Sequence, residues 1–280
     1  MNRIVSKEWL APTVARLVVE APLTARKRLA GQFVILRVKD HGERIPLTIA
    51  GSDPDAGTIT LVVQKVGKTT SDLCALEAGD TLLDLAGPLG VPTHVENWGR
   101  VVCVAGGVGA AVVLPIAEAV KAAGNEVDVI LGARSQDLLV LEDELRAAST
   151  HFHLTTDDGS VGEKALVITP LQRLLDEGNV KMVIAAGPVP MMRAVCETTR
   201  PSATPTMVSL NPVMVDGTGM CGGCRVHIGD QVKYACVDGP EFDGHKVDFD
   251  ELRARLAIYR SQEQAPRGPG HCEKQMTPVS

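Results

Sequence analysis

The chain has 280 residues, a length that fits two domains with separate cores, and its 45% hydrophobic and 22% charged residues are ordinary for a globular protein. A formal net charge of −6 argues against nucleic acid and against an anionic membrane surface as partners. The sequence has no apolar run long enough to span a membrane and no signal-peptide pattern at its start. We therefore expect a cytoplasmic protein whose seven cysteines are reduced.

Residues 1–96 predict an antiparallel barrel. Valine-rich runs such as GQFVILRV and GTITLVVQKV are separated by turns that contain Gly, Pro and Asp, and no long helical periodicity interrupts them. GSDPDAG predicts a hairpin loop and SDLCAL predicts one short helix. Many short strands of this kind are typical of a small antiparallel barrel.

Residues 97–210 alternate between apolar strands and helical segments. The strands VVCVAGG, EVDVILGAR, HFHLTTDD, VKMVIAAG and TMVSL are separated by helices predicted up to Gly124, over about 137–148, over about 165–177 and from about Pro190. Continuously apolar strands that alternate with helices indicate parallel βαβ units. This half predicts a doubly wound α/β domain of the nucleotide-binding type.

The remainder divides into a compact, glycine-rich module over residues 211–246, a C-terminal helix over 247–263 and a disordered tail over 264–280. Within the module, Cys221 and Cys224 are followed by Cys236. Plant-type [2Fe–2S] proteins use a C-x4-C-x2-C run and one later cysteine, and this spacing is kept here with Asp216 in the first position. We therefore predict a [2Fe–2S] cluster held by Asp216, Cys221, Cys224 and Cys236.

Three other interpretations of these cysteines stay open. Cys272 could supply the fourth ligand while Asp216 only caps a turn, although Cys272 lies in the Pro- and Gly-rich tail. The module could bind a structural zinc through three thiolates and a carboxylate. The three thiols could also be incidental, with no metal between them.

Two glycine-rich turns predict a dinucleotide site. In AGGVGAA, Gly107 and Gly109 fit the G-x-G-x-x-G pattern, but Val112 takes the third place. AAGPVPMM is a second turn between a strand and a helix, and two such turns at the carboxyl ends of parallel strands define a crevice. Met191 fits either a nicotinamide contact or a core residue. The candidates are Gly106, Gly107, Gly109, Gly187, Pro188 and Met191.

In the barrel half, RIPLTIA and VGKTT combine a cation, hydroxyl groups and a glycine, as a flavin and its phosphates would require. A plain strand and a plain turn explain the same composition. The flavin-site candidates are Arg44, Pro46, Leu47, Thr48, Val62, Val63, Gln64, Gly67, Thr69 and Thr70.

The order of barrel, nucleotide domain and iron–sulfur module resembles the ferredoxin–NADP reductase superfamily over about residues 1–260, and within it the dihydroorotate dehydrogenase electron-transfer subunits. IPLTI is similar to the flavin motif, with Thr48 at the hydroxyl position near flavin N5, and VGKTT resembles the turn that holds the FAD phosphates. GGVGAA and GPVPMM match the nicotinamide motifs. The resemblance implies FAD, a [2Fe–2S] cluster and NAD(H), with NADP(H) as the alternative.

Two departures from the family pattern matter. The flavin motif of the superfamily is R-x-Y-[ST], whereas Leu47 takes the aromatic place here, Ile45 takes the arginine place and Arg44 lies one residue early. The dihydroorotate branch has a cysteine at the position of Asp216. An aspartate there resembles the small (alpha) subunits of NADH-dependent ferredoxin:NADP reductases, also called sulfide dehydrogenases.

The resemblance implies that FAD exchanges a hydride with NAD(H) and that a [2Fe–2S] cluster passes single electrons onward. The acceptor would be a larger subunit with its own flavin and [4Fe–4S] clusters, in an electron-bifurcating heterodimer; we expect no general base. The alternatives are the electron-transfer subunit of dihydroorotate dehydrogenase and a flavin-binding redox sensor. Arg134 and Ser135 suit a 2′-phosphate and Asp137 suits a ribose diol, and the family favours NADH.

Overall fold

The computed structural model describes residues 2–258. Seven antiparallel strands form the N-terminal barrel in the order β6-β1-β2-β5-β4-β3-β7. The two edge strands β6 and β7 are successive parts of one chain segment, which hydrogen-bonds to β1 at one end and to β3 at the other. This segment therefore nearly closes the barrel. The strands are β1 (Asn2–Ala11), β2 (Val14–Glu20), β3 (Phe33–Arg37), β4 (Arg44–Asp53), β5 (Thr58–Gln64), β6 (Thr81–Leu82) and β7 (Asp84–Leu89).

The barrel is filled by aliphatic side chains that alternate with outward-facing residues along each strand. Leu17, Leu36, Ile49 and Leu61 point inward from four strands and are at most 1% exposed. The hairpin predicted at GSDPDAG joins β4 to β5. The predicted short helix is α2 (Lys68–Cys74), which begins earlier than SDLCAL, and the sequence interpretation missed α1 (Pro22–Lys27).

A second seven-stranded sheet follows in the order β11-β10-β9-β8-β12-β13-β16, parallel except for β16. This confirms the predicted doubly wound domain. The strands are β8 (Arg100–Gly106), β9 (Glu126–Ala133), β10 (His151–Thr156), β11 (Glu163–Lys164), β12 (Val180–Ala186), β13 (Thr206–Ser209) and β16 (Glu241–Asp243). The helices are α3 (Ala110–Ala122), α4 (Glu142–Ala148), α5 (Ile168–Glu177) and α6 (Val189–Thr199).

Two predicted helices begin later than expected. The first half of the helix predicted over 137–148 is wrong, because residues 136–138 form a single 3-10 turn and α4 begins only at Glu142. Leu141, just before α4, has a φ of +60°, which interrupts a right-handed helix. The helix predicted from residue 165 begins at Ile168.

The C-terminal part contains the hairpin β14 (Arg225–Ile228) and β15 (Gln231–Tyr234), then β16 and α7 (Phe249–Leu256). Strand β16 pairs with β13 and therefore extends the nucleotide sheet. The C-terminal helix predicted over 247–263 begins later, at Phe249, and ends earlier, at Leu256. Residues 259–263 of that prediction, the tail over 264–280 and Cys272 lie outside the described residues. None of the helices within residues 2–258 is long and apolar enough to cross a membrane.

Two apolar clusters join the three parts of the chain. Phe33 and Ile35, on the outer face of β3, belong to the same buried cluster as Cys224 and Cys236. On the other side, Val14, Ala50 and Val62 of the barrel share a cluster with α3. The barrel thus packs against both the cysteine module and the nucleotide domain, and the predicted sites converge on this junction.

Candidate functional site

The first glycine turn connects β8 to α3 at the carboxyl edge of the parallel sheet. Gly107 has a φ of +54° and open space where a Cβ would lie, so that its backbone is free to approach a ligand. Gly109 has no such space, because a Cβ there would lie 2.2 Å from the carbonyl oxygen of Ala186. The turn therefore requires glycine at two positions for two different reasons.

The second turn, which contains Gly187 and Pro188, lies directly against the first. A Cβ on Gly106 would lie 2.3 Å from Sδ of Met191, and a Cβ on Gly187 would lie 2.8 Å from Cε of Met191. Met191 is partly buried and packs against the larger apolar cluster. Its side chain thus fills the space between the two glycine turns and has a packing role. The predicted contact of Met191 with nicotinamide stays a proposal.

The loop after β9 carries the residues that we associated with nucleotide choice. Ser135 Oγ donates a hydrogen bond to Asp137, and the backbone N–H of Gln136 donates to Ser160 Oγ at 2.8 Å. The N–H of Asp158 bonds to the carbonyl of Arg134 at 3.1 Å. The loops after β9 and β10 are therefore tied together, and the Ser135 hydroxyl is directed to the Asp137 carboxylate.

Strand β4 separates the flavin-site candidates into two faces. Ile45 and Leu47 pack against the barrel core, while Arg44, Pro46 and Thr48 share the opposite, outer face by strand alternation. Leu47 thus turns away from the face that carries Thr48. The place of Leu47 in a flavin site therefore stays a prediction.

An aromatic side chain reaches this outer face from the neighbouring strand. Phe33 on β3 lies directly opposite Thr48 and is 3% exposed. A Cβ on Gly90 would lie 2.8 Å from the Phe33 ring. Phe33 was missed because its position opposite Thr48 depends on strand register, although the valine-rich run GQFVILRV contained it.

Arg44 carries a buried polar atom that the protein itself does not satisfy. Its Nε has no hydrogen-bond partner among the described residues, and a buried cationic N–H without an acceptor is unfavourable. On the paired strand, Arg37 is bound to Asp84 at 2.5 Å. The free Nε of Arg44 therefore fits an anionic ligand such as a diphosphate.

The hydroxyls of the VGKTT turn are occupied by protein contacts. Thr69 Oγ1 donates to Glu43 at 3.1 Å, and Thr70 Oγ1 accepts from the N–H groups of Val66 and Gly67 at 3.0 and 2.9 Å. Thr70 therefore stabilises the start of α2. The hydroxyls of these two threonines are thus directed to the protein, whereas Gly67 faces open space.

The three candidates at the end of β5 also point in different directions. Val63 is fully buried in the barrel core, whereas Val62 packs into the cluster shared with α3. Gln64 is partly buried and lies opposite Val14. The side chain of Val63 is therefore confined to the barrel interior.

The cysteine module brings the predicted metal ligands together as two pairs. Cys224 Sγ and Cys236 Sγ are 3.1 Å apart in the buried cluster. Asp216 accepts hydrogen bonds from the N–H of Thr218 at 2.9 Å and of Cys221 at 2.8 Å, and these bonds hold the pKa of Asp216 below its usual value. Asp216 is thus ionised and adjacent to Cys221, which is exposed.

The loop around these pairs is tightly packed. A Cβ on Gly219 would lie 3.1 Å from Val237, beside Cys236, and a Cβ on Gly217 would lie 2.7 and 2.9 Å from the side chains of Leu89 and Ile35. Within residues 2–258, no group of three His, Cys, Asp or Glu side chains already has the geometry to hold a metal ion. The donor set of three thiols and one carboxylate, in two neighbouring pairs within a glycine-rich loop, nevertheless fits an iron–sulfur cluster.

Three cysteines outside the module, within residues 2–258, are core residues, as predicted. Cys74, Cys103 and Cys196 are all buried. Burial raises the pKa of the Cys103 thiol to about 12, and likewise that of Cys196. These three thiols are therefore protonated small side chains.

Comparison with known proteins matches two parts of the chain to described families. Residues 103–197 match the oxidoreductase NAD-binding domain, and residues 211–248 match the iron–sulfur cluster binding domain of dihydroorotate dehydrogenase B. These matches contain both glycine turns and the four predicted cluster ligands.

Whole-chain relatives cover nearly the full length. The chain is 47% identical to the dihydroorotate dehydrogenase B (NAD(+)) electron transfer subunit homolog of Thermotoga maritima, over 94% of this chain and 93% of that protein. It is 32% identical to the dihydroorotate dehydrogenase B (NAD(+)) electron transfer subunit of Bacillus caldolyticus, over 87% of this chain and 96% of that one.

Two solved structures are similar. One, from a structural study of flavin-based electron bifurcation in the NADH-dependent reduced ferredoxin–NADP oxidoreductase, has 45% identity and a TM-score of 0.90, covering 94% of this chain and 95% of that chain. A ferredoxin reductase of carbazole 1,9a-dioxygenase has 18% identity and a TM-score of 0.62, over 73% of this chain and 65% of that one, and shares the fold alone.

Proposed function

The chain belongs to the family of dihydroorotate dehydrogenase B electron-transfer subunits and their homologues, which have the ferredoxin–NADP reductase fold, and within it we propose that the chain is the small subunit of an electron-bifurcating, NADH-dependent ferredoxin:NADP oxidoreductase. It is an electron-transfer subunit with a nicotinamide-nucleotide domain and an iron–sulfur domain. The observation that carries the finer proposal is the 45% identity and TM-score of 0.90 to such a reductase over 94% of the chain. Asp216, as the first cluster ligand, supports the same assignment.

FAD is the cofactor that we propose for the outer face of β4. When bound, FAD exchanges a hydride with the nucleotide and releases single electrons. Arg44 would bind the diphosphate through the Nε that lacks an acceptor, and Thr48 would donate to the ring system. Gly67 and the backbone of Thr69 and Thr70 would border the phosphates. Phe33 would support the ring from the neighbouring strand.

The nucleotide would bind at the paired glycine turns. Gly107 offers open backbone for the phosphates, and the contact of Gly109 with Ala186 fixes the two turns relative to each other. Gly106, Gly187 and Pro188 complete the crevice, with Met191 beside the nicotinamide. We propose NADH as the substrate because Asp137 places a carboxylate where the 2′-phosphate of NADPH would bind.

The [2Fe–2S] cluster would be held by the two ligand pairs. Asp216 and Cys221 would bind one iron, and Cys224 and Cys236 the other. The contact of Gly217 with Ile35 and Leu89 places this loop against the outer face of the barrel. The residues that would hold the cluster therefore lie between the barrel and the exposed Cys221, and the cluster would supply one-electron transfer there.

The exposed side of the module is where we propose that a larger subunit, with its own flavin and [4Fe–4S] clusters, binds. Exposed apolar side chains occur in both chain segments that carry the predicted ligands. They are Val213 (42%), Val215 (46%) and Met220 (89%) before Cys221, and Val237 (41%) after Cys236. Grouped exposed apolar side chains mark protein interaction sites. A partner that covers them would approach the cluster at the end where electrons leave.

The second candidate function is the electron-transfer subunit of dihydroorotate dehydrogenase, which the name of the Thermotoga maritima relative favours. The partner distinguishes the two. Affinity purification from the native organism is expected to yield a larger flavin and [4Fe–4S] protein, and the complex should reduce ferredoxin and NADP together with NADH turnover. Recovery of a dihydroorotate-oxidising flavoprotein would support the second function instead. A protein that binds flavin but is not reduced by either nicotinamide would indicate a redox sensor.

A further inference from the structure

Glu241 joins three parts of the molecule at one point. It lies on β16 opposite Ser209 of β13, so the nucleotide sheet fixes its backbone. Thr93 Oγ1, in the segment between the barrel and the nucleotide domain, donates a hydrogen bond to Glu241 Oε1 at 2.6 Å. A Cβ on Gly31 of the barrel would lie 2.7 Å from the same oxygen. Glu241 is partly buried, and its carboxyl group thus lies between the barrel, the connecting segment and β16.

Backbone bonds attach the same three parts beside this carboxyl group. The N–H of Val91 donates to the carbonyl of Gly239 at 2.7 Å, and the N–H of Thr93 donates to the carbonyl of Ala30 at 2.9 Å. Residues 239–241 therefore meet the connecting segment twice, at Val91 and at Thr93. They also lie within the cysteine module, shortly after Cys236, so this contact fixes the module at that point.

No cation of the described residues bonds to this carboxyl group. Thr93 is the hydrogen-bond partner from the connecting segment, and the adjacent His94 pairs with Glu96. On the barrel side, Arg28 bonds to Ser52.

The sheet also offers no cation to this carboxyl group. On β16 itself, Asp243 pairs with Lys246. On β8, the pKa of the Cys103 thiol is raised mainly by burial and further by the nearby Glu241 charge. Burial raises the pKa of Glu241 from 4.5 to about 7, while the bond from Thr93 opposes this rise.

We propose that Glu241 is a positioning residue whose protonation holds residues 239–241 against the segment that joins the barrel to the nucleotide domain, so that proton binding fixes the cysteine module relative to the barrel. The pH-dependent contact itself does not depend on the proposed function. Its consequence does: if the proposed function is right, electron transfer between the flavin and cluster halves depends on pH. The neutral carboxylic acid fits this partly buried site without a cation, whereas the carboxylate gains more from hydration and therefore favours an open junction.

The direction of the pH effect follows from linkage. The closed junction binds the proton more tightly than the open one, so its stability is full below pH 4.5 and decreases as the pH rises to about 7. Across that window the opening equilibrium rises by up to about tenfold per pH unit for one proton. Above about pH 7 it no longer changes.

Hydrogen exchange of the purified protein with its cofactors, read by mass spectrometry and corrected for intrinsic exchange, tests this contact. In the wild type, the amides of Val91 and Thr93 are expected to open roughly 40-fold more often at pH 7 than at pH 5. Glu241→Gln, which keeps the shape and an acceptor for Thr93, should remove this dependence. Glu163→Gln, at an exposed acid bound to Arg173, should retain it.

A second variant keeps the test decisive if Glu241→Gln does not fold. Thr93→Val removes the donor that favours the carboxylate, so the upper end of the pH window should shift above pH 7. The rate at which NADH reduces the cluster should follow the same pH profile.

Exchange that is independent of pH in the wild type, or unchanged in Glu241→Gln, would overturn the proposal. If the purified protein lacks flavin or cluster, that result would contradict the proposed function, and the exchange of the Val91 and Thr93 amides would still be measured in that protein.

Discussion

The α-carbon of Gly109 faces the carbonyl oxygen of Ala186 so closely that a Cβ on Gly109 would lie 2.2 Å from that oxygen. Gly109 belongs to the turn before α3, and Ala186 is the last residue of β12. The contact therefore sets the distance between the two glycine turns that are expected to hold the nucleotide. Because one of the two atoms belongs to the backbone, a side chain at Gly109 cannot be accommodated by a rotamer change.

Replacing Gly109 by alanine should separate the two turns. We expect a loss of about 1–3 kcal/mol in the free energy of unfolding, as for overpacked core positions, together with slower reduction of bound flavin by NADH. Urea unfolding and stopped-flow absorbance measure the two effects. Gly51→Ala is the matched control, since a Cβ there meets only Thr60 at 3.5 Å. A Gly109→Ala protein with unchanged stability and NADH kinetics would contradict the role of this contact.

Arg44 is predicted to bind the FAD diphosphate. Arg44→Gln should weaken FAD binding by about tenfold or more, since a hydrogen bond to a charged group contributes about 1.5–3 kcal/mol. The measurement is the flavin retained after dialysis and its dissociation constant by fluorescence. Arg37→Gln, on the paired strand but bound to Asp84, is the control and should retain flavin better. Equal flavin loss in both variants would argue against a specific role of Arg44.

Asp137 is predicted to set the preference for NADH over NADPH. Asp137→Asn removes a carboxylate that repels a 2′-phosphate, and it leaves the neighbouring Arg134 to attract that phosphate. We expect the ratio of reduction rates with NADH and NADPH to fall by about tenfold, an effect of about 1.4 kcal/mol. Asp176→Asn, on α5, should leave the ratio unchanged. If the ratio is the same in Asp137→Asn as in the wild type, another residue selects the nucleotide.

Asp128 is predicted to stabilise the amino end of the parallel sheet. It is fully buried, and it accepts hydrogen bonds from Arg100 Nε at 2.8 Å and from His153 Nε2 at 3.2 Å. Burial raises the pKa of Asp128, but the bonds from His153 and Arg100 outweigh burial and hold it below 3.8. The charged pair therefore contributes stability above pH 3.8 that is lost as the pH falls further.

Asp128→Asn should lower the free energy of unfolding by about 3 kcal/mol at neutral pH, because Arg100 loses a buried partner. The difference from the wild type should shrink once the pH falls below 3.8. Urea unfolding at several pH values measures both effects. Asp143→Asn, near the start of α4, is the exposed control. A constant difference at all pH values would show that lost packing, rather than charge, causes the effect.

Sequence reasoning predicted the features that depend on local spacing. The strand–turn–helix pattern around Gly107 and Gly187 and the distances between Asp216, Cys221, Cys224 and Cys236 are short-range, and the comparisons confirm an NAD-binding domain and an iron–sulfur domain at these positions. The inward orientation of Leu47 could also have been predicted from the sequence. With Thr48 on the outer face, strand alternation requires its neighbour to face the core.

Other features depend on contacts between distant parts of the chain. Phe33 reaches Thr48 only through the register of β3 against β4, and Glu241 reaches Thr93 only because β16 joins the nucleotide sheet. Neither arrangement leaves a periodic signal in the sequence. The late start of α4 has a local cause, since Leu141 adopts a left-handed conformation that leucine rarely takes. The helical periodicity of the sequence does not indicate this conformation.

The proposed electron transfer depends on the metal centre, and therefore on the role of Asp216. Asp216 bonds to the N–H groups of Thr218 and Cys221, so the same geometry fits either a ligand or a residue that only caps the turn. Asp216→Cys replaces the carboxylate with a thiolate ligand, whereas Asp216→Asn keeps an oxygen acceptor for the turn but removes the anionic ligand. The two variants therefore separate the two roles.

The most direct measurement is the iron, sulfide, zinc and flavin content of anaerobically purified protein, with an EPR spectrum after dithionite reduction. We predict about two irons and two sulfides per chain, as a [2Fe–2S] cluster requires, with about one FAD. The rhombic signal should change in Asp216→Cys, and the iron should be lost or reduced in Asp216→Asn. Zinc without sulfide, or spectra identical in the wild type and in both variants, would contradict a cluster held by Asp216.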